Sequence, residues 1–387
     1  GDGRGRFAKH VRNDSIKGEL FIVLFMIPVI LFCTISVRAE GSESDSNTAE
    51  SIIKGKVINV ISSNDADKED KNVMEKQQKL KVEITEGKHD GEKVEITHTI
   101  QPSKPDNIEF KTGDELFLSI SEDNSGKINE ASVYQVVRQN QLLHLLIFFM
   151  ISIILIGGIR GFKSLITLTI TCLIIVKVFL PLILQGYNPI VVSTAVCIAI
   201  TIISLIIVSG FNRKSAAAIL GTSSGVIIAG IIAYVYINSA RVSGVGTEDA
   251  QLLMDSLLKG TLNFKGILFG SILIGTLGAV MDISMSIAST MNELRENNPR
   301  ISNGNIIKAG MSVGRDTIGT MTTTLVLAYI SGTVFLVLGY MVSKSSFIDI
   351  INQDMIASDV IKTFASSIGL IFTIPITVFA YWILDKR

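Results

Sequence analysis

Asp282, Ser286, Ser289 and Glu293 fall at i, i+4, i+7 and i+11 within GAVMDISMSIASTMNEL (278–294). That spacing puts them on one face of a helix. The run before them is long and uncharged, and Asp282 lies about 5 Å from its middle at 1.5 Å per residue. A carboxylate at that depth of a bilayer costs about 3 kcal/mol. Such a group carries a proton or has a partner. A polar stripe on a membrane helix faces protein or a water-filled cavity, not lipid. Three roles fit Asp282: a structural ion pair or helix cap, a proton or cation relay, or an enzymatic carboxylate.

The next apolar run supplies candidate partners. GRDTIGTMTTTLVLAYISG (314–332) opens with Arg315 and Asp316 and continues through Thr320, Thr322, Thr323 and Thr324. Arg315 is placed to reach toward Asp282. The threonines suit hydrogen bonds across helices or the lining of a hydrated path. Lys177, inside ITLTITCLIIVKVFLP, is the other charge deep in an apolar run, and it either snorkels or faces a cavity.

Other motifs fail on context. GTSSG (221–225) matches a nucleophile elbow, but it lies in a membrane run with no histidine near, so contact through small residues fits better. Asp282 and Asp316 form no recognisable intramembrane-protease motif. There is no GxxxxGK[ST]. The histidines show no metal-ligand spacing, and Cys33, Cys172 and Cys197 lie in apolar runs. The reading is of a protein with no catalytic residue, no metal and no cofactor.

The elements that must position these residues are membrane spans. Of 387 residues 48% are hydrophobic, and the mean hydropathy is +0.46. Several uncharged runs exceed the length that crosses a bilayer. Charge balances at 35 basic and 35 acidic residues, which gives no basic field for nucleic acid. Residues 1–19 form a basic N-terminus. Residues 20–37 hold an apolar core behind a basic flank, which reads as a signal anchor or as a signal peptide with VRA (37–39) as its cleavage site; the length of the core favours the anchor. Spans follow at about 142–158, 164–184, 190–209, 216–237, 266–288, 317–342 and 362–384, making eight in all, with the bundle over 141–385. Gly266, Gly270, Gly275 and Gly278 give the Asp282 span a small-residue face for close packing. The stretch between that span and the next reads as an amphipathic helix on the membrane surface.

Basic residues distribute unevenly over the alternate loops. Arg4, Arg6, Lys9, Arg12, Lys17, Arg160, Lys163, Arg213, Lys214, Arg295, Arg300, Lys308, Arg315, Lys386 and Arg387 fall on one side; Arg241, Lys259, Lys265, Lys344 and Lys362 fall on the other. By the positive-inside rule both termini are cytoplasmic and residues 40–140 are outside. The outer segment is polar, with alternating apolar residues at Leu80, Val82, Ile84, at Val94, Ile96 and at Leu116, Leu118, Ile120, broken by turn signals. GKVINVIS (55–62) and ASVYQVV (131–137) add strands. Together these predict a small OB-like β-barrel, with 64–77 as a solvated loop. The fold expected is a polytopic α-helical membrane protein of about eight transmembrane helices, with this extracytoplasmic domain between helices 1 and 2.

At GAVMDISMSIASTMNEL and GRDTIGTMTTTLVLAY the chain resembles the YibE/F family of bacterial multispan membrane proteins. GYNP (186–189), KSAAAILGTSSG (214–225) and IGLIFTIPIT (368–377) share in the resemblance. It implies a bacterial cell-membrane protein and little about activity. A second resemblance is to the SecD/SecF branch of resistance–nodulation–division transporters. It rests on Gly278, Asp282, Arg295, Glu296, Ala309, Gly310, Thr322 and Thr323. The chain departs from that pattern in two extra spans, a smaller outer domain and the lack of a second Asp-bearing half. That resemblance implies a proton relay at Asp282 and a homo-oligomer or a second membrane protein of the same family as partner. The function expected is a permease or proton-coupled transport machine of unknown substrate in the bacterial plasma membrane. The alternative is a membrane scaffold or accessory subunit for an envelope complex.

Overall fold

The computed structural model describes residues 50–385, apart from 66–75, 101–107, 124–125, 247, 257–261 and 345. The expected N-terminal segments 1–19 and 20–37 lie outside the described residues.

Five strands make the first unit: β1 (Glu50–Asp65), β2 (Lys76–Ile84), β3 (Lys93–Ile100), β4 (Glu115–Glu122) and β5 (Ile128–Val136). The sheet order is β3-β2-β1-β4-β5 with every pairing antiparallel. Strands β1 to β3 form a meander, and β4 returns to lie beside β1, which is a Greek key. The outer strands β3 and β5 also approach one another, so the sheet nearly closes into a barrel. Bulges at Val57/Asn59 and Val60/Ser62 bend the long β1, and bulges add the curvature a closing sheet needs. Alternation in sequence becomes the interior: Leu80, Val82, Ile84, Leu116, Leu118 and Ile120 are all fully buried with Val57 and Phe110. The expected loop at 64–77 is shorter than predicted, because β1 runs to Asp65 and β2 starts at Lys76.

The second unit is helical. Its elements are α1 (Gln139–Ile174), a π turn (Ile175–Phe179), α2 (Leu180–Leu184), α3 (Pro189–Ser209), α4 (Arg213–Ser239), α5 (Glu248–Ser256), α6 (Phe264–Asn297), α7 (Asn303–Val342), α8 (Phe347–Ile351) and α9 (Asp354–Asp385). Among the described residues, six helices are long and apolar enough to cross a membrane. The count is lower than the seven expected beyond residue 141, because 142–158 and 164–184 lie in one helical stretch, Gln139–Leu184. That stretch is not straight. Gly158 adopts φ 54° and ψ −134°, and the Ile153 carbonyl comes against Gly161. In a straight helix those residues would be about 12 Å apart. The chain therefore folds back sharply at Gly158, where positive φ costs glycine little.

Helices α4, α6 and α9 form the centre, with α3 against one flank of α6 and α7 against α9 and α6. Two buried clusters fill it. One joins Val280, Ile283, Ile287 and Met291 of α6 to Leu370, Ile374 and Val378 of α9. The other joins Phe179, Val196, Ile200, Val226, Phe269 and Leu273. The expected surface helix after α6 is absent. α6 continues to Asn297 and α7 begins at Asn303, with Ser302 capping it through Asn305 N. Glu296 to Arg315 therefore complete two long helices and the tight turn between them.

Candidate functional site

α6 carries the stripe read from the sequence. Val280, Ile283, Ser284, Ile287, Ala288 and Met291 are buried in the bundle, whereas Ser271, Gly275, Gly278, Asp282, Ser286 and Glu293 are exposed on the opposite face. The exposed set recurs every three or four residues from Ser271 to Ser286, about four turns, and Glu293 follows beyond half-buried Ser289, so it is one strip. α3 packs along one side of it: Pro189 meets Gly266, Phe179 and Ser193 meet Gly270, and Ser209 donates to Met285 Sδ at 3.5 Å. α7 crosses from the other side, with Tyr329 at Gly275 and Gly310 at Met291. Three of the four expected packing glycines, Gly266, Gly270 and Gly275, thus sit against neighbours. Gly278 does not, and no atom lies within 4 Å of where its Cβ would be.

Those two α6–α7 contacts set the antiparallel register and bring Asp282 level with Thr320–Thr322. Thr320, Thr323 and Thr324 are exposed, as are Arg315 and Asp316. The hydroxyls of Thr320 and Thr324 donate to Thr317 and Thr320 carbonyls of their own helix, at 3.1 Å and 2.9 Å. They do not bond across helices. Thr322 Oγ1 is buried with no partner among the described residues.

Asp282 has no hydrogen-bond or ion-pair partner among the described residues. The expected pair with Arg315 does not form. Arg315 is level with Ala288, about 9 Å along the helix from Asp282 at 1.5 Å per residue. Asp282 and Asp316 share no hydrogen bond either. Lys177 lies in the π turn Ile175–Phe179, half-buried.

Three polar assemblies escaped the sequence reading. Arg295 donates through Nε to Asp385 Oδ2 at 2.8 Å, and its Nη2 also contacts that oxygen. It further donates to the Ile301 carbonyl at 2.9 Å and to Asn303 Oδ1 at 2.6 Å. Arg213 Nη1 lies 3.8 Å from the other oxygen of Asp385, whose side chain is 8% exposed. One guanidinium thereby ties α6, the 298–302 turn and α9 together, next to the start of α4. The second assembly is a hydroxyl pair. Thr276 Oγ1 donates to Ile272 O at 2.7 Å and lies 2.6 Å from Ser366 Oγ. Each hydroxyl has one proton. With Thr276 donating to Ile272, Ser366 donates to Thr276. Lys362 sits 5.4 Å from the centre of the Tyr329 ring and 3.0 Å from Asp359. The third, around His89, lies in the barrel.

The GTSSG motif proves to be a packing device. Thr377 and Thr373 side chains fill the space at Gly221 and Gly225, and Gly369 of α9 meets Ala229 in return.

Two family models match the chain. The YibE/F-like protein model covers residues 145–386, and the YibE/F family N-terminal domain model covers 49–136. The chain belongs to the YibE/F family. The boundary between the two matches falls where the barrel gives way to helices. No curated protein and no solved structure matches the chain. The YibE/F chain is thus a membrane-spanning helical protein with a small barrel domain. Its matched helical region contains Asp282, the Thr run of α7 and the Arg295–Asp385 clamp.

Proposed function

We propose that this YibE/F chain is a proton-coupled permease or transport-type machine of the bacterial plasma membrane, with Asp282 as its relay carboxylate. The observation that carries this reading is the position of Asp282. It is a lone carboxylate, without a partner among the described residues, on the exposed polar strip of a central membrane helix. Lipid cannot cover such a strip at acceptable cost, which leaves water, substrate or protein. Ser286 continues the strip toward one end, and Thr320, Thr323 and Thr324 flank it at the same level. A proton arriving at Asp282 would alter how α6 meets α7. Arg315 and Asp316 stand nearer the helix ends and serve entry or exit. The basic-loop asymmetry supports cytoplasmic termini and an outer barrel. A second copy, or another membrane protein of the family, completes the face. No catalytic role is assigned to any residue.

The rival, a non-transporting scaffold, draws support from the closed α4–α9 seam and the Arg295 clamp, both of which are features of rigid assembly. Infrared titration of carboxyl absorption in lipid-embedded protein separates the two. A band that titrates near neutral pH and is missing from Asp282→Asn is expected for the relay, followed by loss of gradient-driven uptake in that variant. A carboxylate that stays ionised throughout would sink the relay and favour the scaffold.

A further inference from the structure

His89 lies on the β2–β3 turn and is nearly buried, with 6% of its side chain exposed. Its two ring nitrogens face two different carboxylates: Nδ1 is 3.2 Å from Glu92 Oε2, and Nε2 is 3.0 Å from Glu122 Oε1. A neutral imidazole has one N–H and one lone pair, whereas the imidazolium has two N–H donors. Two carboxylate acceptors are both satisfied only by the cation. Lys88 adds a third contact, its Nζ 3.1 Å from Glu122 Oε2. Glu122 ends β4, so these bonds cross from one turn to the other.

The place they cross is the weak line of the barrel. β3 and β5 lie side by side but are not hydrogen-bonded neighbours in the sheet. β3 begins at Lys93 and β5 at Ile128, immediately after the two turns that His89 joins. The groups facing His89 are Glu92 on its own turn and Glu122 on β4, with Lys88 beside Glu122. Asp123 stands at the head of the β4–β5 turn, where its Oδ1 accepts from Lys127 N at 3.0 Å. Among the described residues no ladder bond joins β3 to β5 at this end of the seam, where the His89 bonds lie.

We propose that His89, Glu92 and Glu122 form a pH-sensitive latch that holds the β3–β5 seam of the outer barrel closed while His89 is protonated. Donating to Glu122, and then to Glu92, raises the imidazole's pKa above its usual value. Bonds from His89 and then Lys88 hold Glu122 below the usual carboxylate range. The signs agree on one window. The His89 contribution is complete below the unfolded histidine value and is lost as pH rises through the raised value. The Glu122 contribution is present above the ordinary carboxylate value and is lost as pH falls through the lowered one. Between those limits the latch is shut. Above the upper limit one ring nitrogen loses its proton and turns a lone pair toward the carboxylate it faces, and the seam loosens, with Lys88 the remaining donor to Glu122.

The full chain in lipid nanodiscs, labelled with 15N-histidine, tests this. The His89 signal is assigned by its loss in His89→Gln and followed against pH, and amide exchange over Gly87–Glu92, β3 and β5 is read on the same samples after correction for intrinsic rates. The expected result is an imidazole midpoint above the free value of about 6.5, with seam protection falling several-fold through that midpoint. Glu122→Gln should lower the midpoint and weaken protection below it. A midpoint at or below the free value, or seam protection that is the same on both sides of it, overturns the latch. If His89→Gln fails to fold, the His89 signal is assigned by elimination from His10→Gln, His98→Gln and His144→Gln, and the two readings on the wild-type chain still decide.

Discussion

Between α4 and α9, small residues meet hydroxyl side chains and leave no room. Along the outward face of α6, small residues and hydroxyls recur at similar spacing, and Gly278 meets nothing. Gly221 and Gly225 are filled by Thr377 and Thr373, whose own hydroxyls are spent on Thr373 O and Gly369 O at 2.8 Å each. The hydroxyls of Thr373 and Thr377 are thus satisfied within one helix while their oxygens face the glycines, whereas Thr222 and Ser223 of α4 and Ser367 of α9 keep buried hydroxyls with no partner among the described residues. On α6 the corresponding strip holds a carboxylate instead, and Asp282 has no carbonyl to donate to unless it is protonated. Small residues alone do not decide whether a membrane helix face is closed. What separates the two faces here is that side chains of α9 fill the space at Gly221 and Gly225, whereas among the described residues nothing fills it at Gly278.

Five single variants, one of them with a second-site change, break or sharpen this contrast. Gly225→Leu should be the most damaging. Even its Cβ would come within 2.9 Å of Val280 Cγ1 and 3.0 Å of the Gly369 carbonyl, besides striking Thr373. A loss of at least about 3 kcal/mol, at the high end for overpacking, should show as aggregation on size-exclusion chromatography in mild detergent. Arg295→Ala removes the partner of a buried carboxylate and should cost on the order of 3 kcal/mol. Asp385→Asn in the same chain should recover part of that, as a double-mutant thermal-melt cycle would reveal. Asp282→Asn should change stability by less than about 1 kcal/mol, since no partner is broken, while abolishing proton-linked activity. A large melting shift in that variant would mean that Asp282 is a structural charge. Arg315→Ala should stay within about 0.5 kcal/mol, as exposed sites without partners do, and Gly278→Ala should be neutral or gain up to about 1 kcal/mol of helix propensity.

Much of this architecture is legible in the sequence because it rests on short-range periodicity. Alternation at Leu80, Val82 and Ile84 specifies a barrel wall, and G-x-x-x-G at 221–225 specifies a helix seam. The strip from Gly278 through Asp282 to Ser286 is legible for the same reason. The partners of charges are not, because they are set by register between helices. Arg315 is near Asp282 along the chain's logic, yet the Gly275–Tyr329 and Met291–Gly310 contacts slide it out of reach. Arg295 finds Asp385 ninety residues away, at a helix end that reads from sequence as an ordinary charged terminus. The predicted surface helix between the two spans fails on the same point. A clamp on Ile301 O and Asn303 fixes a tight turn there, and helix periodicity continues through both flanks. His89 has no spacing signal at all, because Glu122 reaches it only once the barrel curls.

The π turn at Ile175–Phe179 carries a consequence for how this helix tolerates change in length. A π turn holds one residue more than the α-helix around it, the mark left by an insertion absorbed in place. Phe179, the last residue of the turn, seats on Gly270, and Ile183 beyond it is buried. Deleting a single residue from the turn would restore regular winding and leave the helix beyond it near its present phase, because the turn already absorbs the extra residue. Phe179 would then keep its seat on Gly270. A codon dropped within the turn should therefore be tolerated better than one dropped from the regular winding just before it, where each residue contributes about 100° of rotation.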